Sequence, residues 1–259
     1  MSDDVTVDSW APGDEPGAWE SVEFWVMPYV PFDFDAAISR MEGLRVIQLM
    51  TSGYERLLSH ADRIPPDVTV CTARGIPDAA VSEWVLTAMV AMQRGLLSFI
   101  DDARQGVVHR AETHGLDGTR ILVVGYGSVG RALQERLRGF DVELIKVGRH
   151  ARDDVHGTED LAALLPTADI LVLLMPLTAQ TRGMIDREAL ALLPDGALVV
   201  NAARGEVLDQ EALVQEVASG RLRAALDVAV SDPPLPDNSP LLGLPNLALH
   251  VGRTSALRD

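Results

Sequence analysis

The chain is poor in cysteine, in lysine and in positive charge. Cys71 is its one cysteine, so neither an intramolecular disulfide nor a cysteine metal cluster can form. That thiol follows a short apolar run and is expected as a buried strand residue. Lys146 is the one lysine, and 22 basic residues face 38 acidic ones, a formal net charge of −16. A surface of that sign repels nucleic acid and anionic membranes, so neither is an expected partner. Charge within a cleft is a separate matter, and an anionic small-molecule substrate stays open. No apolar run is long enough to cross a bilayer. The acidic start, MSDDVTVDSWAPGDEPG, lacks the basic-then-apolar layout of a signal, and the cytoplasm is the default location. There is no internal repeat or low-complexity block. His109 and His114 lie in a polar stretch without metal-ligand spacing, so no metal is expected.

What is present is length and alternation. The 259 residues, 47% hydrophobic and 23% charged, suit a globular protein of one large or two ordinary domains. After an irregular lead-in over residues 1–20, strands are expected at Val22–Tyr29, Leu44–Met50 and Val68–Thr72, with a helix at Asp35–Met41. Ala79–Ile100 predicts one long helix, too apolar for exposure, that packs between domains or against another subunit. Its methionines read as core filler. The polar stretch 101–118 reads as a connector, and the expected division is 1–94 and 95–259. From Arg120 onward, strands Ile121–Gly125, Val142–Val147, Asp169–Met175, Ala197–Ala202, Ala224–Val228 and Leu247–Val251 alternate with helices Ser128–Gly139, Leu161–Ala168, Arg187–Leu193 and Gln210–Ser219. That alternation predicts an α/β fold with a doubly wound parallel sheet.

Chemistry gathers at the strand ends. An apolar run enters Gly125-Tyr126-Gly127-Ser128-Val129-Gly130 and leaves as a helix. Strand, glycine turn and helix start are the fingerprint of a dinucleotide site. Gly125 permits the turn, Gly127 lets a pyrophosphate approach, Gly130 permits close packing, and the helix start offers N–H groups to phosphate. The next strand ends in Val147-Gly148-Arg149-His150-Ala151-Arg152, with no acid for a ribose 2′-hydroxyl. Arg149 there favours a 2′-phosphate, hence NADP over NAD. The plainer reading makes Arg149 and Arg152 surface arginines. Later strand ends carry Arg204, Asp227 and His250, with Asp232 soon after Asp227. His250 alone reads as a plain polar residue. An anion clamp, an acid/base and an orienting carboxylate are together what reduction of an oxo acid needs. The Thr51-Ser52-Gly53-Tyr54 loop is either an ordinary turn or a ligand-facing one.

Four stretches carry a family resemblance: VVGYGSVGRAL, LMPLTAQTRGMID, LVVNAARGEVLDQEAL and GRLRAALDVAVSDPPLPDNSPLLGLPNL. In that order they resemble the D-isomer-specific 2-hydroxyacid dehydrogenases, over Leu44–Gly252. The resemblance implies two Rossmann-like domains with the active site between them, the first a flavodoxin-like substrate domain, and a homodimer formed through the cofactor domain. It implies hydride transfer between a nicotinamide cofactor and a D-2-hydroxy acid or 2-oxo acid. It makes Arg204 the catalytic arginine, His250 the acid/base and Asp232 its partner, an aspartate where the family usually has glutamate. Asp227 would face the nicotinamide amide. Ser128 and Val129 would contact the pyrophosphate, Met175, Pro176, Ala202 and Ala203 would wall the cofactor, and Ser52 and Gly53 would hold the substrate carboxylate. Two departures stand out. Pro245-Asn246 is followed by Leu-Ala-Leu-His, two residues short of the family spacing, which predicts a displaced imidazole or missing residues. The family also continues into a C-terminal helix that returns to the first domain, and here that helix is expected to be absent. Both departures motivate a second reading, a nucleotide-sensing regulator with impaired turnover.

Overall fold

The computed structural model describes residues 5–9, 19–28, 32–108, 110–230 and 235–250. They divide into two compact units, Met1–Arg74 and Gly75–Asp259. The first contains strands β1 (Phe24–Met27), β2 (Val46–Leu49) and β3 (Thr69–Cys71), with short helices α1 (Phe34–Ile38) and α2 (Glu55–Leu58) between them. The three strands are parallel, in the order β1-β2-β3. Ile47 and Leu49 of β2 are buried with Trp25, Phe34 and Leu57. Asp33 starts α1 by accepting the Ala36 N–H at 3.0 Å, as an N-cap should. Cys71 is half-buried, not fully buried as expected, because β3 is an edge strand that ends at the thiol.

The second unit opens with α3 (Asp78–Gln93), followed by α4 (Leu96–Arg104). The division therefore falls before this helix, and the expected boundary at 94/95 is too late. Val85, Met89 and Met92 of α3 share one core cluster with Ile121, Val172 and Val200, so burial ties the helix to the second unit. The single helix expected over Ala79–Ile100 is two. Gly95 breaks it with φ of +61°, a conformation that glycine adopts without strain. None of the residues of α4 is buried.

The remaining elements are β4 (Arg120–Val124), α5 (Ser128–Arg136), β5 (Glu143–Val147), α6 (Leu161–Leu164), β6 (Ile170–Leu173), α7 (Arg187–Leu192), β7 (Leu198–Asn201), α8 (Gln210–Ala218), β8 (Arg223–Leu226) and β9 (Leu247–Leu249). The six strands form one parallel sheet in the order β5-β4-β6-β7-β8-β9. Ile121–Val124 of β4, all of β6 and Leu198–Val200 of β7 are buried apolar runs because both faces of the sheet are covered. Beyond β5 a parallel bridge from Val147 to His156 stands where a further strand would lie. The chain leaves β4 toward β5 and returns on its other side as β6. The crossover reverses there, and ligands of such sheets bind at the strand ends beside that reversal.

Gly125 lies at this point. It has φ of +94°, and a β-carbon on it would come within 2.3 Å of the Met175 backbone nitrogen. Gly127 differs, since a β-carbon there meets nothing nearer than the Gly125 carbonyl at 3.9 Å. Gly125→Ala is therefore expected to destabilise the fold by roughly 2–4 kcal/mol, and Gly127→Ala by far less. Thermal unfolding of the two variants against the parent checks the difference.

Candidate functional site

The glycine turn is held by its own backbone. The N–H groups of Gly125 and Tyr126 both donate to the Val147 carbonyl at 2.9 Å, and Gly127 N–H donates to the Gly125 carbonyl at 2.7 Å. α5 starts immediately afterwards, so Ser128, Val129 and Gly130 supply its first-turn N–H groups, which have no partner within the helix. The space over Gly127 lies open before that turn, and the residues present fit a dinucleotide pyrophosphate. Two details differ from expectation. The Ser128 hydroxyl donates to Asp78 at 3.1 Å, toward α3, so its N–H is the group left for an anion. Gly130 packs closely against the Tyr126 ring, 2.9 Å from where its β-carbon would be, and not against a strand.

Beyond β5, Arg149 is exposed, while Arg152 donates from Nη2 to the Tyr126 carbonyl at 3.0 Å. Arg152 is thus spent on bracing the glycine turn. Lys146 pairs with Asp154 and lies 5.4 Å from the centre of the Tyr126 ring. The Lys146 ammonium holds the Asp154 carboxyl below the usual carboxylate range. Met175 and Ala203 are buried, with side chains in the core, whereas Pro176 is exposed and Ala202 half-buried. The Pro176 carbonyl accepts from the Thr181 hydroxyl at 2.6 Å, which folds the loop after β6 back on itself.

Three strand ends then stand in a row. At β7, the buried Asn201 accepts the Ala203 N–H and donates to the Arg204 carbonyl, each at 3.0 Å. Arg204 is half-buried, and its Nη1 donates to the Ala203 carbonyl at 2.7 Å. At β8, Asp227 is buried, and its N–H donates to the Asn201 carbonyl at 2.9 Å. At β9, the His250 N–H donates to the Leu226 carbonyl at 2.8 Å. Leu226 and Leu249 are register partners, so the residues that follow them, Asp227 and His250, stand side by side. His250 Nδ1 meets Asp227 Oδ1 at 2.7 Å. The imidazole is 54% exposed and the carboxylate 8%, so a buried acid fixes one nitrogen while the ring faces outward.

Among the described residues the carboxylate beside His250 is Asp227; Asp232, the expected partner, lies outside the described residues, as does His109. The short lead-in does not part the histidine from an acid, because β9 runs straight into it. In the first unit, Ser52 and Gly53 follow the carboxyl end of β2, where the Thr51 hydroxyl donates to the Gly53 carbonyl at 2.7 Å. The sequence reading gave no role to Asn201 or to Trp84, whose ring centre lies 6.1 Å from that of His250. A lone amide just before Ala-Ala-Arg-Gly at the end of a buried strand was the available signal for Asn201. Nothing local signals Trp84.

Comparison with known proteins identifies the family. Residues 86–252 match the family model of the D-isomer specific 2-hydroxyacid dehydrogenase, NAD binding domain. The chain is 30% identical over 227 residues to D-3-phosphoglycerate dehydrogenase of Methanocaldococcus jannaschii, covering 81% of this chain and 41% of that one. It therefore spans less than half the length of that relative. It is 25% identical to glycerate dehydrogenase of Methylorubrum extorquens, over 95% of this chain and 81% of that one. A D-isomer specific 2-hydroxyacid dehydrogenase from Xanthobacter autotrophicus Py2, solved with NADPH and MES, superposes with a TM-score of 0.79 at 29% identity, over 91% of this chain and 75% of that one. Among the described residues no helix is long and apolar enough to cross a membrane. The chain belongs to the D-isomer specific 2-hydroxyacid dehydrogenase family and carries that family's NAD binding domain.

Proposed function

We propose that the chain reduces a small 2-oxo acid to its D-2-hydroxy acid, and catalyses the reverse, with NADP favoured over NAD. The observation that carries this reading is the 2.7 Å pairing of His250 with buried Asp227, one strand away from the end that bears Arg204. Gly125, Gly127 and the first turn of α5 hold the dinucleotide. When bound, the nicotinamide supplies the hydride that reaches the carbonyl carbon. His250, fixed through Nδ1, gives the proton on Nε2 to the carbonyl oxygen as it becomes a hydroxyl. Arg204 binds the substrate carboxylate and draws charge toward the carbonyl oxygen. Ser52 and Gly53 are assigned to the substrate carboxylate by the family resemblance alone. Asp227, rather than Asp232, orients the imidazole and stabilises it when charged. The exposed apolar face of α4, with Leu96, Leu97 and Ile100, supports the homodimer.

Turnover separates this reading from the regulator. Oxidation of NADPH or NADH with glyoxylate, hydroxypyruvate or pyruvate is expected, whereas cofactor binding without oxidation of any of them supports a sensor. Arg204→Ala should cost about 2–4 kcal/mol in kcat/KM, and near-parental turnover excludes its role. Asp227→Asn should lower kcat by on the order of 100-fold or more, with Asp232→Asn much milder; the reverse order restores Asp232 as the partner. Arg149 supports the cofactor preference by its charge and its place after β5. Arg149→Ala should lower kcat/KM for NADPH about tenfold relative to NADH, the loss of one charge-assisted phosphate contact. A parent that prefers NADH defeats that assignment.

A further inference from the structure

We propose that Trp84 is a positioning residue for His250, setting the face of the imidazole while Asp227 sets its edge. The inference rests on the acid/base reading of His250. A hydrogen bond through Nδ1 fixes one atom but leaves the ring free to swing about that contact. The Trp84 indole opposes the swing. Its ring centre is 6.1 Å from that of the imidazole, with 34° between the planes, inside the range where aromatic rings attract. Half of the imidazole is exposed, so a firm surface on one side matters more than it would in a packed interior.

The helix beneath Trp84 is anchored by polar contacts. Arg136 of α5 donates from Nε to the Ser82 hydroxyl at 2.8 Å and from Nη2 to the Ala79 carbonyl at 3.0 Å. The Ser128 hydroxyl donates to Asp78 at 3.1 Å. These bonds fasten the first turns of α3 to α5, and Trp84 itself packs against the core cluster that α3 shares with the sheet. The indole is therefore a fixed wall. The helix that follows the glycine turn and the helix that carries Trp84 are thus bonded to each other. Edge and face restraints leave Nε2 as the nitrogen presented outward, the arrangement a directed proton transfer needs.

Trp84→Phe, Trp84→Leu and Trp84→Ala, made in the full chain, test this. Kinetics with glyoxylate and hydroxypyruvate are paired with the ring-proton signals of 13C-labelled histidine, His250 being assigned by its loss in His250→Gln. In the parent without cofactor, the His250 ring protons are expected away from free-histidine positions because of the indole ring current. Trp84→Ala and Trp84→Leu should abolish that shift and lower kcat on the order of 10- to 100-fold. KM and the affinity for NADPH should stay within a few-fold, and Trp84→Phe should restore most of kcat. Parental kcat in Trp84→Leu, or a parent whose His250 signals carry no ring-current shift, overturns the proposal; the second needs no variant to fold. A parent that shows the shift but reduces neither oxo acid supports the contact and refutes the activity reading instead.

Discussion

The site depends on the register of a parallel ladder. Two backbone bonds, Asp227 N–H to the Asn201 carbonyl and His250 N–H to the Leu226 carbonyl, align the ends of β7, β8 and β9. Arg204, Asp227 and His250 hang from that alignment. A slip of one residue in β9 would turn His250 to the opposite face of the sheet and break its contact with Asp227. The buried runs of β7 and β8 resist such a slip, because their apolar side chains fill both faces. Asn201 extends the control by one turn. Its side chain is consumed by Ala203 and Arg204, so the loop that presents the guanidinium is folded by an amide, not by the ligand.

Much of this is legible in the amino-acid sequence. The glycine turn, the six strands of the second unit and the gathering of Arg204, Asp227 and His250 at strand ends all follow from apolar periodicity and from where polar residues interrupt it. The unread parts share a cause, since each depends on contacts between distant residues. The division at Arg74/Gly75 is set by which core α3 joins, and composition at 94/95 carries no record of that choice. The break at Gly95 was written in the sequence, yet the apolar run on both sides of it outweighed a single glycine. That Asp227 stands beside His250 is set by the register of β8 against β9, which no local pattern records. Trp84 lies far along the chain from His250, and no local pattern links a helix face to a strand end.

Arginine use shows the same limit. Arg149 and Arg152 look alike in sequence, but their surroundings divide their work. Arg152 is engaged by the Tyr126 carbonyl and stiffens the glycine turn, while Arg149 is left facing outward. A guanidinium offers five donors in a fixed fork, so one spent on backbone is poorly placed to meet a phosphate squarely as well.

The wide sequence separation of these contacts also governs how the molecule is made. α3 opens the second unit, and β9 is added to the sheet only near the far end of the described chain. Joining Trp84 to His250 therefore closes a very long loop, whose entropy must be met before the contact gives anything back. Parallel sheets built this way fold slowly. The glycine turn at 125–130 leaves the ribosome well before His250, so the pairing of the histidine with Asp227 and Trp84 waits on the far end of the described chain.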